Sequence, residues 1–300
     1  MPVQQIDGRV ILIHPRGPSA ELLLYGATVI SWKSGTPSDP VPSERFFVSS
    51  KAALDGSKPV RGGIPVVFPC FGAPTHPEHS HLSQHGFARS EVWTFDSIVA
   101  DNEAGVSVRL TLSPTASITE KYDRLFHLAY VVTLTEYEIS TDLHVTNTST
   151  SGVYPPSNLE FQALLHNYIR APANQVLVSP LQNNKYYDKT EPTEEGRTNA
   201  KLETRAGVDV REFTDSVYED ATQEYKVTWP SGGVEIKAKG FKDVVVWNPQ
   251  KVAGSKMGDM EDGGWEKFVC VEPGYVRGFA EVEPGKTWIG QQVISVIHMK

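Results

Sequence analysis

The sequence predicts an all-β fold, and three observations carry that reading. Between positions 136 and 146, Tyr137, Ile139, Thr141, Leu143 and Val145 alternate with Glu136, Glu138, Ser140, Asp142, His144 and Thr146. Val106, Val108, Leu110 and Leu112 repeat the period of two, which sends one set of side chains to a core and the other to water. Tyr225, Val227 and Trp229, then Val234, Ile236 and Ala238, flank Ser231-Gly232-Gly233 like the arms of a hairpin.

Taken in chain order, further apolar runs fall at 10–13, 21–32, 176–178, 244–247, 268–271 and 288–297, each of strand length or divisible into strands. The segment 159–169, LEFQALLHNYI, fits a helical stripe, yet Phe161, Ala163 and Leu165 also alternate with Gln162, Leu164 and His166. Its strand-rich context decides for strand. The stretches 188–206 and 251–264, rich in charge and glycine, read as solvated loops. No repeat and no linker composition interrupts the 300 residues, so one domain over 1–300 is expected, a sandwich or barrel.

Composition narrows the partners. Lys and Arg number 28 against 36 Asp and Glu, a formal charge of −8, which argues against a general nucleic-acid binder. A small anion needs only two or three local cations and stays allowed. Cys70 and Cys270 sit in apolar runs (VVFPCFG, KFVCVEPG) and read as buried free thiols. With no basic-then-apolar leader and no apolar run of membrane length, a cytoplasmic protein without membrane association is expected.

Several segments set polar groups among apolar ones. Arg61 precedes Gly62 and Gly63, glycines that permit positive φ and close approach of the backbone to a ligand; a surface arginine at a turn is the plainer reading. The run QHGFAR offers Gln84, His85 and Arg89 around one glycine. His166, in LLHNYIR, is by itself as well explained as a core histidine. Glu272 ends an apolar strand before Pro273-Gly274, a turn that stops the ladder; a carboxylate there is well placed to point into a cleft and is by itself as well explained as an end-of-strand charge in water. His76, His79, His81 and His85 lie in what reads as an exposed loop without metal-ligand spacing, so no metal is expected. Dinucleotide, P-loop and G-x-S-x-G motifs do not occur.

In order along the chain, ELLLYGATVISWK, RGGIPVVFP, QHGFAR, LLHNYIR, TDSVY, VVVWNP and VCVEPG resemble the glucose-6-phosphate 1-epimerases, a branch of the aldose 1-epimerase (galactose mutarotase-like) group. The resemblance runs from about Ala20 to the end of the chain. It implies a large antiparallel β-sandwich, a sugar cleft across one sheet, and catalysis without a cofactor by His166 and Glu272. It further implies that Arg61 and Arg89 surround a phosphate, that Gln84 and His85 contact sugar, and that Asp215 bonds sugar hydroxyls, with Asp209 the competing aspartate. The family form has threonine after the histidine; Asn167 stands there instead and is expected to adjust contacts behind the site.

The implied reaction opens the hemiacetal, rotates about C1–C2 and closes on the other face. His166 would give a proton to the ring oxygen while Glu272 takes one from the C1 hydroxyl, and His85 would hold the open-chain carbonyl oxygen. A small hexose phosphate is the expected partner of a monomeric enzyme. An epimerase of unphosphorylated hexoses would share the acid and base and lack the use for two arginines. A non-catalytic sugar-binding protein on the same fold needs neither His166 nor Glu272, and a glycoside hydrolase wants a second carboxylate.

Overall fold

The computed structural model describes residues 2–149 and 157–297. It is all-β, built from antiparallel sheets, as the alternation predicts. An eight-stranded sheet runs in the order Leu177–Ser179, Glu224–Trp229, Gly232–Lys239, Thr287–Ile297, Glu138–Asn147, Phe126–Leu134, Gly105–Leu112, Thr94–Asn102. The facing sheet runs Lys201–Leu202, Lys185–Asp188, Thr214–Tyr218, Asp243–Asn248, Phe268–Val282, Leu159–Leu165, Val66–Val67, with Tyr168–Arg170 also paired to Phe268–Val282. A five-stranded sheet from Val3–Ile6 to Ser43–Glu44 completes the layers.

The two large sheets bury their inner faces against each other. Leu110, Tyr130, Leu143 and Ile294 from one pack in the same cluster as Phe161, Val244, Val246, Val269 and Val271 from the other. The period of two then fixes the opposite face of the second sheet. Cys270, Glu272, Val245 and Trp247 must point away from the core, and in the register Trp247 pairs with Cys270 and Val245 with Glu272.

The segment 159–169 is two strands, Leu159–Leu165 and Tyr168–Arg170, with His166 and Asn167 between them. Asn167 is fully buried and its side-chain nitrogen donates to the Val271 carbonyl at 2.9 Å. The same amide exchanges two 2.8 Å hydrogen bonds with Gln292, also fully buried, on the opposite sheet. The residue that departs from the family form thus clasps the two sheets together.

Three expectations are corrected. The strand carrying Glu272 does not end at Pro273-Gly274; it runs on to Val282 with Pro273 opposite Val244 and Gly274 opposite Asp243 and Leu164. The ladder survives because side chains stitch the irregular stretch that follows. Asp243 accepts from the amides of Val276 and Arg277 at 2.8 and 2.7 Å, and Gln162 donates to the carbonyls of Val276 and Gly278. The stretch 188–206 holds a short helix, Glu194–Thr198 capped by the Thr193 hydroxyl, and the strand Lys201–Leu202, while 251–264 begins within the helix Gln250–Gly254. The histidine run is not wholly exposed: Pro77–His79 forms a 3₁₀ turn that buries His79 against His76, Tyr122 and Phe279. That burial pushes the His79 imidazole down to about 4. Cys70 and Cys270 are buried free thiols.

Asn167→Ala strands the Gln292 amide and the Val271 carbonyl in a dry core, at about 1–3 kcal/mol per unpaired group. A fall of that size in urea-unfolding stability is expected. Leucine at both 167 and 292 should recover part of it, since the amides vanish together while the carbonyl stays unpaired. An alanine variant as stable as wild type would refute the clasp.

Candidate active site

Outside the core face of the second sheet lies a cavity of about 340 Å³. Arg61, Gln84, His85, Arg89, His166, Asp215 and Glu272 all line it, together with Phe71, Lys189, Phe213, Val245, Trp247 and Met257. Every residue nominated from the sequence is brought to this one place. Asp209 does not line it; its carboxylate pairs with Arg211, 2.9 Å away. A larger depression of about 500 Å³, around Pro77, Tyr122, Arg124 and Leu159, contains none of the seven.

Backbone constraints place the arginines. Gly62 and Gly63 have φ of 135° and 68°, and a Cβ on them would lie 2.3 Å from the Phe47 carbonyl oxygen and 2.1 Å from that of Val29. The close approach expected of these glycines is therefore to neighbouring chain rather than to a ligand. It lets the segment thread between two strands and hold Arg61 over the cavity. Gly86 plays the same part in QHGFAR, where a Cβ would meet the Phe68 carbonyl at 2.1 Å. Phe87 anchors that loop among Phe68, Tyr122 and Phe126, leaving Arg89 on the cavity side.

Arg61 is held at two points. Its Nε donates to Asp259 Oδ1 at 3.2 Å and its Nη1 to the Tyr168 hydroxyl at 3.1 Å. The Tyr168 ring in turn stacks on His166, centroids 4.8 Å apart and planes within 11°. Arg89 donates to the Gln84 carbonyl at 2.9 Å, and its buried Nε has no partner. Lys189 Nζ lies 4.5 Å from the Phe71 ring centroid. Among the described residues neither Arg89 nor Lys189 has an ion-pair partner. His85 Nδ1 accepts from the Gly72 amide at 3.1 Å. The proton of the neutral ring is then on Nε2, so Gln84, whose carboxamide end lies 3.3 Å away, accepts it only with its oxygen turned to the ring.

His166 is 9 % and Glu272 1 % exposed, and His166 Nδ1 lies 3.3 Å from Glu272 Oε1. The atoms are close but misaligned, so His166 Nδ1 and both Glu272 oxygens remain without a hydrogen bond. Burial, then the neighbouring His85 imidazole and the charges of Arg89 and Arg61, push the His166 imidazole well below its usual range. Burial and Asp215 push the Glu272 carboxyl well above its own, against a weaker pull from Lys189 and Arg89. Asp215 is raised by burial too. In the sugar-free cavity both shifts run toward the neutral forms, against the imidazolium–carboxylate state expected from the sequence.

Lys189, Trp247, Tyr168 and Asp259 were missed. Trp247 was legible as a motif (VVVWNP) without a role. Lys189 and Asp259 sit in the charge-rich stretches read as loops, where nothing in the local pattern singles them out.

Fold and cavity together define a sugar-ring isomerase of the mutarotase class. A family model described as Aldose 1-epimerase matches residues 8–295, and the chain belongs to that family. Such a protein interconverts the anomers of aldose sugars. A protein of Escherichia coli K12 is 28% identical over 282 residues, covering 92% of this chain and 86% of its own. One of Cenchrus ciliaris is 28% identical over 296 residues, covering 96% and 84%. Both carry the provisional name glucose-6-phosphate 1-epimerase. In fold, the chain is similar to a Salmonella typhimurium protein provisionally described as a mutarotase, with a TM-score of 0.84 at 23% identity over 99% of this chain and 93% of that one. A Caenorhabditis elegans homologue of the aldose epimerases superposes at 0.65 with 10% identity, over 98% and 100%.

A carboxyl raised by folding is favoured in its protonated form. Its contribution to stability is full below the unfolded value near 4.5 and is lost as pH rises toward the folded value. Glu272→Gln cannot titrate and escapes that loss. Its melting temperature should therefore gain on wild type as pH rises from about 5 to 8. A gap that stays constant across that range would show that Glu272 is not under this strain.

Proposed function

We propose that the chain interconverts the α and β anomers of glucose 6-phosphate or a close relative, with His166 and Glu272 as its acid–base pair. One observation supports the phosphate above all: Arg61, Arg89 and Lys189 face one small cavity in a chain of net charge −8, and only Arg61 has a carboxylate partner. Collecting cations without counter-ions costs free energy unless an anion completes them. Guanidinium suits that anion, since its fork matches phosphate oxygens and stays charged. The provisional names of the plant and bacterial relatives agree.

The pair carries one transferable proton. In the sugar-free cavity the shifts favour its place on Glu272, because burial, and then the neighbouring His85 and the nearby cations, disfavour a charged imidazole. A phosphate dianion against Arg61 and Arg89 offsets those cations and so favours the charged imidazole, while it weakens the pull of Arg89 on the Glu272 carboxyl. In that form His166 donates to the ring oxygen as Glu272 accepts the C1 hydroxyl proton, and neither a free alkoxide nor a free oxocarbenium forms. The C1–O5 bond breaks, the chain rotates about C1–C2, and closure returns both protons. His85 and Asp215, which line the cavity, bond the hydroxyl and carbonyl oxygens. Binding the phosphate thus helps arm the acid, an advantage that free glucose lacks.

Glu272→Gln and His166→Ala should each lower kcat by roughly 10²–10⁴-fold in anomer-exchange NMR, with circular dichroism unchanged. Near-full activity in both variants would remove His166 and Glu272 as the acid–base pair.

Alanine at Arg61 or Arg89 removes a charge-assisted hydrogen bond worth about 1.5–3 kcal/mol. kcat/KM for glucose 6-phosphate should fall roughly 10–150-fold, while turnover of free glucose should show no parallel fall. Lysine should restore only part of the loss, lacking the fork. Equal losses on both sugars would favour an epimerase of unphosphorylated hexoses.

A further inference from the structure

His166, Cys270 and Glu272 bring a ring nitrogen, a thiol and a carboxylate oxygen within 4.8 Å of one another. Three atoms so spaced share a point no more than about 2.8 Å from each, and zinc bonds to such atoms run ~2.0–2.3 Å. Side-chain shifts of about half an ångström close that gap. The β register explains the convergence. Cys270 and Glu272 are two residues apart on one strand and so share its cavity face, with Cys270 opposite both Trp247 and Tyr168. Tyr168 stacks on His166, which sets the imidazole over the same spot.

A second observation points to a ligand. His166 and Glu272 are more than nine-tenths buried, yet His166 Nδ1 and both Glu272 oxygens lack hydrogen-bond partners. The donor set is also selective, since thiolate and imidazole suit zinc and cadmium whereas magnesium and calcium want oxygen.

We propose that the cavity floor is an inhibitory site for a thiophilic divalent cation of the Zn²⁺ class, ligated by His166, Cys270 and Glu272. The Cys270 thiol proton, and that of the Glu272 carboxyl, pass to solvent as the metal–sulfur and metal–oxygen bonds form, and no electron changes hands. The cation takes the imidazole lone pair and the carboxylate, so it and the sugar exclude each other. Inhibition rests on the acid–base reading above; binding does not.

Cadmium is the probe, because its bond to a thiolate gives an ultraviolet charge-transfer band independent of activity. Titration should develop the band to one equivalent in wild type and in Cys70→Ala, and not in Cys270→Ala or Cys270→Ser. His166→Asn should weaken it, which tests the site from a separate segment of the chain if the Cys270 variants do not fold. Zn²⁺ should stop anomer exchange and a chelator restore it, with inhibition weakened roughly tenfold or more in Cys270→Ala as a ligand is lost. No band, a band that follows Cys70, or equal zinc sensitivity in Cys270→Ala would overturn the site. A full band with exchange undiminished would keep the site and remove His166 and Glu272 as the acid–base pair.

Discussion

The reciprocal amide bonds between Asn167 and Gln292 are the constraint on which the cavity depends. They cross the sandwich where apolar contacts alone would leave the sheets free to slide, and both residues are fully buried. The third bond, from Asn167 to the Val271 carbonyl, ties the residue after His166 to the residue before Glu272. The His166 and Glu272 side chains are thereby set at a fixed offset, which the proposed pairing of acid and base requires. A buried network of this kind is favourable only when complete, so it specifies one arrangement where a greasy contact would accept several.

The cavity pays for its chemistry in stability. Glu272 and Asp215 are carboxyls raised by burial, His166 is an imidazole lowered by it, and Arg89 keeps a buried N–H without an acceptor. None of this would persist in a region selected for folding alone. The surrounding structure holds it in place through close backbone packing at Gly62, Gly63 and Gly86 and through the aromatic stack under His166.

Most of the fold was legible because strand alternation is a local signal. Residues 136–146 and 225–238 declare which side chains face inward from their own neighbours. The run 159–169 was harder, since both periods fit, and only its context chose strand. Pro273-Gly274 misled, because the side chains that keep the ladder going, Asp243 and Gln162, lie over thirty and a hundred residues away. The same distance effect hid Lys189 and Asp259: a lone charge in a polar stretch looks like any solvated charge until the sheet brings it to a cavity. The seven nominated residues were legible through the ordered motifs that carry the family resemblance, not from spacing. Their protonation was not legible, because it depends on burial and on charges contributed by other strands.

The sheet order has a consequence for how the chain is made. Thr287–Ile297 is the last of the described strands to be synthesised, yet it is an interior strand, between Gly232–Lys239 and Glu138–Asn147. Until it arrives on the ribosome, the sheet has two open edges where it should be continuous, each able to pair with another nascent chain. Gln292 lies on that strand, 125 residues after Asn167, a lag of roughly 6–25 s at ordinary translation rates. The buried amide waits through that interval without its partner. Chaperone dependence and loss to aggregation should therefore concentrate in this late window of biogenesis.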